Sequence, residues 1–277
     1  MLPNVFRIIG LGLTVYSFLP QLQLTRSKKD TSGLSLFSVV LNTIYATEQF
    51  LVGLIYVSLP HGADFFIDNP KSGGDWLNFC QLATVWVLFV LQFGMCLWYP
   101  SPGLSRRRKI YASTLYGIFL AISLAPGALL IVLLYQDPEA DLTHAIFSGC
   151  HLLYVNPAVP WLSLGAFLCQ VVTLLRPGPQ HQSGISVRGL GAQAVVFLLL
   201  AGTWPFRVTS RPFPEDYPLS WPLVYAWFLW VGWPAVDSLI FAVGQGLLFL
   251  LVARRRAVVG ALEATAEETE PLLASRQ

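Results

Sequence analysis

Residues 19–35 of this 277-residue chain read LPQLQLTRSKKDTSGLS, and a related stretch at residues 168–186 reads LCQVVTLLRPGPQHQSGIS. Gln21 aligns with Gln170, and the two Ser-Gly-aliphatic-Ser segments align as well if the second loop is two residues longer. Each copy starts near the end of one hydrophobic segment and finishes where the next begins. An internal repeat of this kind indicates a chain built from two related units.

The same alignment places one polar side chain in each hydrophobic segment that follows a copy. Asn42 lies opposite Gln193 in this register. A buried amide is costly unless it is hydrogen-bonded. Two roles are therefore open for this pair: binding a substrate between the two units, or joining helices at roughly 0.6 kcal/mol per contact.

The composition excludes a water-soluble globular protein. Only 12% of the residues are charged and 55% are hydrophobic, whereas soluble domains have about 25% charged residues. A membrane-spanning helix needs about 20 mostly apolar residues. Seven segments are long enough: 4–24, 34–57, 76–99, 110–135, 157–175, 189–206 and 223–252. We therefore predict an all-α membrane protein with seven transmembrane helices in a lipid bilayer.

The basic residues predict the orientation of these helices. Thirteen of the 17 Lys and Arg residues follow the first, third and fifth segments or lie in the C-terminal tail. Loops rich in Lys and Arg remain in the cytosol. We therefore expect the N-terminus to be outside or luminal and the C-terminus to be cytosolic.

The predicted layout is three helices, a linker helix and three more helices. Residues 1–99 form the first repeat, 100–135 a basic loop and the linker helix, 136–252 the second repeat, and 253–277 a polar cytosolic tail. Both repeats begin on the same side, so they are parallel. Transporters built from such repeats bind their substrate between the repeats, near the middle of the membrane.

The motifs in the first repeat resemble those of the PQ-loop repeat family. The matching elements are Pro20-Gln21, the basic residues 26–29 and the segment 32–35. Relatives include cystinosin, lysosomal cationic amino-acid exporters, SWEET sugar facilitators and the ER-retention receptor. The resemblance implies transport of a small metabolite, often proton-coupled export from an acidic organelle. The second repeat departs from the family pattern, because Cys169 replaces the usual proline and its loop lacks an acidic residue.

The PQ motif suggests a moving part of the transporter. A proline removes one helical hydrogen bond and displaces the preceding turn, so Pro20 is a candidate hinge, with a static kink as the alternative. Gln21 and Gln170 offer both donors and acceptors beside it. We expect these glutamines to take part in the transport movement.

Glu48 and Asp237 are the only acidic residues clearly inside the hydrophobic segments. An acidic residue at the centre of a membrane helix costs about 2.5–3.5 kcal/mol and usually marks a proton or substrate path. Both are candidates for proton or substrate coupling, and Asp237 also resembles the acidic residue of the family's last helix. For Glu48, a structural ion pair with Arg207 is the alternative.

The histidines, cysteines and tryptophans are expected to have mainly structural roles. We predict that the histidines lie in loops or at helix ends in contact with water, with pH sensing by His144 and His151 as the alternative. Cys80 and Cys150 are both on the predicted outer side, and their spacing does not decide whether they pair. Three tryptophans at every third position indicate packing or a lipid-interface belt rather than a binding platform. These are Trp227, Trp230 and Trp233.

The tail contains an acidic dileucine pattern, in which Glu268 precedes Leu272 and Leu273. Sorting adaptors bind such patterns on the cytosolic side. We therefore predict an adaptor partner and a lysosomal or vacuolar membrane, with another endomembrane as the alternative. The alternative interpretation of this pattern is a chance Leu-Leu pair in a disordered tail.

Together these features predict a transporter of a small polar metabolite, with an amino acid as the preferred substrate and protons as the coupling ion. A non-transporting receptor or scaffold and an uncoupled sugar facilitator are the alternatives. The sequence contains no HExxH, GxSxG, Walker or GxGxxG motif, so we expect no enzyme activity, cofactor or metal. The net charge of +2 gives no reason to expect nucleic-acid binding.

Overall fold

The computed structural model describes residues 2–58, 66–68, 70–101, 104–136, 141–176, 184–207 and 220–274, of which 134–136, 141 and 259–274 are described for the backbone only. Within these ranges seven helices are long and apolar enough to cross a membrane, and no residue is in a strand. They are α1 (Asn4–Lys28), α2 (Leu36–Ser58), α3 (Gly73–Trp98), α4 (Arg106–Leu133), α5 (Leu142–Leu175), α6 (Val187–Phe206) and α7 (Trp221–Val258). The predicted all-α class, with seven helices that are long and apolar enough to span a membrane, is confirmed.

Wide helical turns accommodate prolines inside three of these helices. Turns of π-helix occur in α4 at Leu120–Leu124, in α5 at His151–Val155 and in α7 at Phe228–Gly232. Pro126, Pro157 and Pro234 each follow such a turn within one or two residues. A proline ring clashes with the carbonyl four residues earlier, and that carbonyl lies in the widened turn in each case. The chain therefore continues through these prolines without ending the helix.

The fifth helix is longer than the sequence indicated. The predicted segment starts at residue 157, but helical structure runs through α5 from Leu142. His144, His151 and Pro157 suggested a loop, since polar residues and proline lower the apparent hydrophobicity and helical propensity of the segment. Both histidines are in fact buried inside the bundle, so the prediction that they are exposed to water is wrong.

Six of the helices form a closed ring around a central axis. In order around the ring, the contacts run from α1 to α3, α2, α5, α7, α6 and back to α1. The fourth helix packs against α2 from outside the ring. In line with this arrangement, 83% of the hydrophobic window of α2 is buried, against 17% for α4. The buried polar residues of α2 are therefore positioned inside the bundle.

Four phenylalanines from four helices meet at the centre of the ring. Phe89 of α3 packs edge-on against Phe18 of α1 at 5.1 Å and against Phe241 of α7 at 5.6 Å between ring centroids. Phe241 in turn contacts Phe197 of α6 at 4.5 Å. Aromatic contacts of this type contribute about 0.5–1.5 kcal/mol each beyond burial. We call these four residues the aromatic layer.

The three tryptophans of α7 lie in different environments and do not form one continuous face. Trp233 is fully buried and stacks on Phe66 at 5.7 Å, whereas Trp230 is 37% exposed. The side chain of Trp227 packs directly over Gly232. These positions agree with the packing and lipid-facing interpretation.

Candidate functional site

A small cavity with both amide and apolar side chains lies inside the ring, and positions that the alignment of the two motifs pairs are among those that line it. Its volume is about 50 Å³. The aligned pairs Leu34 and Ile185, Ser38 and Gly189, and Asn42 and Gln193 all belong to its lining, as do Phe89 and Phe241. The aligned residues Asn42 and Gln193 therefore line one cavity. Phe89 and Phe241 also belong to the aromatic layer, which bounds the cavity.

Amide side chains give the cavity its chemistry. Six of the 16 lining residues are Asn or Gln, and none is charged. They are Gln21, Asn42, Gln92, Gln170, Gln193 and Gln245. The Oδ1 atom of Asn42 is buried and has no hydrogen-bond partner in the described part of the protein. Because an unsatisfied buried acceptor costs about 1–3 kcal/mol, this atom is suited to a donor on a bound molecule.

Gln21 joins the end of α1 to the start of α6. Its Nε2 donates to the carbonyl oxygen of Gly184 at 2.9 Å, and the backbone N–H of Ser186 donates to its Oε1, also at 2.9 Å. Gly184 and Ser186 belong to the second Ser-Gly-aliphatic-Ser segment. One side chain thus satisfies two backbone groups just before a helix N-terminus, where intrahelical partners are missing.

Gln170 makes the equivalent pair of hydrogen bonds from the second motif to the backbone of the first. Its Nε2 donates to the carbonyl oxygen of Gly33 at 2.7 Å, and the backbone N–H of Ser35 donates to its Oε1 at 2.9 Å. We refer to the four hydrogen bonds of Gln21 and Gln170 as the glutamine bridges. Each repeat provides the glutamine for one bridge and the backbone for the other, which explains why the two motifs recur together.

The glycines of the two motifs are required by this arrangement. Gly33 has a φ of 89°, a backbone conformation that favours glycine. A Cβ atom on Gly184 would lie 1.9 Å from the carbonyl oxygen of Ser32, so no larger residue fits without movement. The two segments therefore contact each other closely at the same end of the bundle as the glutamine bridges.

Asp237 lies outside the cavity lining, one helical turn before Phe241. Its side chain is fully buried, and Gln49 of α2 donates from Nε2 to its Oδ2 at 2.6 Å. Its Oδ1 has no hydrogen-bond partner among the described residues. Tyr45, one turn before Gln49 on α2, is also fully buried. The sequence did not single out Gln49, because no pattern in the chain points to a partner 188 residues away.

Glu48 binds a histidine and not Arg207, the partner that the alternative interpretation assigned to it. Its two carboxylate oxygens lie 2.8 and 2.9 Å from Nδ1 of His151. Arg207 lies instead at the end of α6, where it stacks over Trp204 at 4.9 Å and donates to Thr203. The proposed ion pair between Glu48 and Arg207 is therefore wrong.

Two arginines meet at the end of the bundle opposite the glutamine bridges. Arg7 donates from Nη1 to the carbonyl oxygen of Gly74 at 2.6 Å and from Nη2 to that of Arg207 at 3.1 Å. Burial, together with the adjacent guanidinium of Arg7, lowers the pKa of Arg207 to about 10. The two side chains bind α1, α3 and α6 together at this end.

Some predicted features lie at the edge of the described structure or outside it. Pro20 is inside the continuous helix α1, and its role as a hinge stays a prediction. Cys80 and Cys150 both have free thiols. The backbone of Glu268, Leu272 and Leu273 lies in a helical extension of α7 that ends at Ala274, but their side chains are outside the described part. Gln182 and Ser183 of the second motif are outside it as well.

The fold and the composition together define a multi-span membrane protein. Residues 2–47 match the family model described as the PQ loop repeat. This match covers α1 and the first half of α2, including Gln21 and the first Ser-Gly-aliphatic-Ser segment, and confirms the PQ-loop resemblance. Comparisons with curated proteins and with solved structures found no match.

Proposed function

We propose that this protein is a membrane transporter that moves a small polar metabolite by alternating access between two parallel repeats. Residues 1–99 and 136–252 are the repeats, and the linker helix lies within 100–135. The contacts between helices support this layout, because α1 packs against α6 and α2 packs against α5. The first helix of each repeat thus contacts the second helix of the other, as expected for two units related by a twofold axis along the membrane normal.

The observation that carries this proposal is the shared polar cavity with the glutamine bridges at one end. A cavity of about 50 Å³ has room for only a few water molecules, since each needs at least about 10–15 Å³ of such a cavity. A metabolite therefore requires the repeats to separate. In the proposed orientation the glutamine bridges are at the cytosolic face, where they hold the transporter closed.

The lining favours a polar solute without a large net charge. Six amides supply donors and acceptors, while the apolar lining residues supply contact area. An amino acid is our proposed substrate, with Asp237 as the proton or substrate carboxylate. The tail pattern supports export from a lysosome or vacuole, and the cytosolic partner would be a sorting adaptor.

The proposal is tested by uptake into liposomes that contain the purified protein. A panel of labelled amino acids and sugars is offered with and without a proton gradient. We expect saturable, gradient-stimulated uptake of at least one amino acid. Binding of a solute without its transport would support a receptor, and sugar uptake that does not change with the proton gradient would support a facilitator. Either result would overturn the proposed function.

Substitutions in the cavity should weaken substrate binding. We expect Asn42→Ala or Gln193→Ala to raise KM for uptake by about tenfold, since a lost hydrogen bond at a buried site costs about 1–3 kcal/mol. Ser123→Ala is the matched control, because Ser123 is equally buried but lies in the peripheral helix α4. An unchanged KM in both cavity variants would show that the cavity does not bind the substrate.

The sorting signal is tested by replacing its two leucines. We expect a tagged chain with Leu272→Ala and Leu273→Ala to leave the lysosomal or vacuolar membrane and accumulate at the cell surface, as seen by fluorescence microscopy. Leu262→Ala, ten residues earlier in the same tail, should leave the location unchanged. If the double variant stays in place, these leucines are not the sorting signal.

A further inference from the structure

Two consecutive residues near the middle of α2 bind helices of the second repeat. Glu48 binds His151 in α5, and Gln49 binds Asp237 in α7. Glu48 is fully buried and His151 is 5% exposed. A carboxylate and an imidazole are thus held together inside the membrane, at the interface between the repeats, in a pair that the substrate cavity does not include.

The surroundings of this pair are mostly apolar. Leu51 of α2, one turn after Glu48, and Phe147 of α5 both pack against Gly127 of α4. Phe147, one turn before His151, packs on the imidazole with 4.4 Å between ring centroids. The buried titratable side chains on the helices that surround this pair are Tyr45 and Tyr56 on α2, Tyr116 on α4, His144 on α5 and Asp237 on α7. The hydroxyl of Tyr116 lies 3.2 Å from that of Thr47, the residue before Glu48, and Asp237 accepts a hydrogen bond from Gln49, the residue after it.

The number of protons on the pair determines its net charge. A neutral imidazole with an ionised carboxylate has a net charge of −1, and one additional proton makes the pair neutral overall. An isolated charge inside a membrane costs several kcal/mol, whereas a hydrogen-bonded neutral pair costs less.

We propose that Glu48 and His151 form a second proton-binding site of the transporter, separate from Asp237, that holds α2 against α5 when the proton is bound. The proton comes from water on the acidic side and returns to water on the opposite side, where its loss leaves a single negative charge and weakens the contact. Because α2 also carries Asn42 in the cavity, the same helix connects this site to the substrate. This inference rests on the proposed transport function.

The first test measures stability and does not depend on transport. The melting temperatures of the wild type, Glu48→Gln, His151→Asn and the double variant are compared in detergent at pH 5.5 and 7.5. We expect the interaction between the two sites, obtained from the double-mutant cycle, to be stronger at pH 5.5. For one proton, the underlying equilibrium changes up to about tenfold per pH unit. Thr47→Val is the control, because it removes a neighbouring hydroxyl of α2 that binds the carbonyl of Thr43.

The second test measures uptake at the same pH values, in the wild-type background and with Asp237→Asn. We expect Glu48→Gln and His151→Asn each to reduce the pH dependence of uptake measured at equal pH on both sides of the membrane, which Asp237→Asn alone leaves in place. A coupling energy that is the same at both pH values would overturn the inference, even if uptake is observed. If no solute is transported, the proposed function fails, and the stability test alone decides whether the pair binds a proton.

Discussion

Replacing Gln21 and Gln170 together by alanine is expected to shift the proposed transporter toward a form that is open on the side of the glutamine bridges, which the proposed orientation makes cytosolic. The four hydrogen bonds of the glutamine bridges contribute about 0.5–1.5 kcal/mol each, so their loss removes about 2–6 kcal/mol from the closed form. Since each 1.4 kcal/mol changes an equilibrium tenfold, the open population should rise by at least about tenfold.

The shift is measured by labelling a cysteine inside the cavity. The four natural cysteines are first replaced by alanine or serine, and Asn42→Cys then reports access of a membrane-impermeant maleimide from the cytosolic side. The labelling rate should increase in the double variant and to an intermediate degree in each single variant. The equivalence of the two bridges predicts similar effects for the two single variants.

A matched control separates the bridges from general damage to α1. Gln23→Ala removes a similar side chain from the same helix, but Gln23 is exposed, so we expect no change in labelling. The idea that the bridges close the cytosolic face would be refuted by equal labelling rates in the double variant and in this control. Faster labelling from the luminal side would instead reverse the proposed orientation of the protein.

The cavity could be predicted from the sequence because its residues repeat. Alignment of the two motifs placed Asn42 opposite Gln193, and both side chains line the same cavity. It also paired Gln21 with Gln170, which make equivalent hydrogen bonds. When two copies of one unit face each other, aligned positions meet near their common axis, so similarity along the chain becomes proximity in space.

The buried pair of Glu48 and His151 could not be predicted in the same way. Neither residue has an equivalent partner in the other repeat, and 103 residues separate them. The hydrophobic pattern also placed the start of the fifth helix too late, because polar residues and a proline interrupt it. A histidine in such a segment indicates a loop when only the sequence is known, because the sequence does not show the partner on another helix that allows its burial.

The roles of the arginines show a related difficulty. Charge alone made Arg207 a reasonable partner for Glu48, since both were placed in the outer half of the membrane. In the structure Arg207 is held at the end of α6 by Trp204 and Thr203. Opposite charges in a sequence therefore do not establish a pair when each can find backbone or aromatic partners nearby.

Asp237→Asn is expected to abolish the stimulation of uptake by a proton gradient and to increase the stability of the protein. Asparagine has nearly the same shape and can still accept a hydrogen bond from Gln49, which donates to Oδ2 in the wild type. A carboxylate at the centre of a membrane helix costs about 2.5–3.5 kcal/mol, and a neutral amide avoids most of this cost. We therefore expect a higher melting temperature in detergent together with uptake that is the same with and without the gradient.

Asp75→Asn provides the opposite comparison. Asp75 accepts hydrogen bonds from the backbone and hydroxyl of Ser72 in a capping box at the start of α3, and such caps contribute about 0.5–2 kcal/mol. We expect this variant to lower the melting temperature while gradient-stimulated uptake persists. A carboxylate whose loss stabilises the fold and removes coupling has a functional role, and one whose loss only destabilises the fold has a structural role. If Asp237→Asn retained gradient-stimulated uptake and melted at a lower temperature, Asp237 would belong to the second group, and the coupling carboxylate would have to be Glu48.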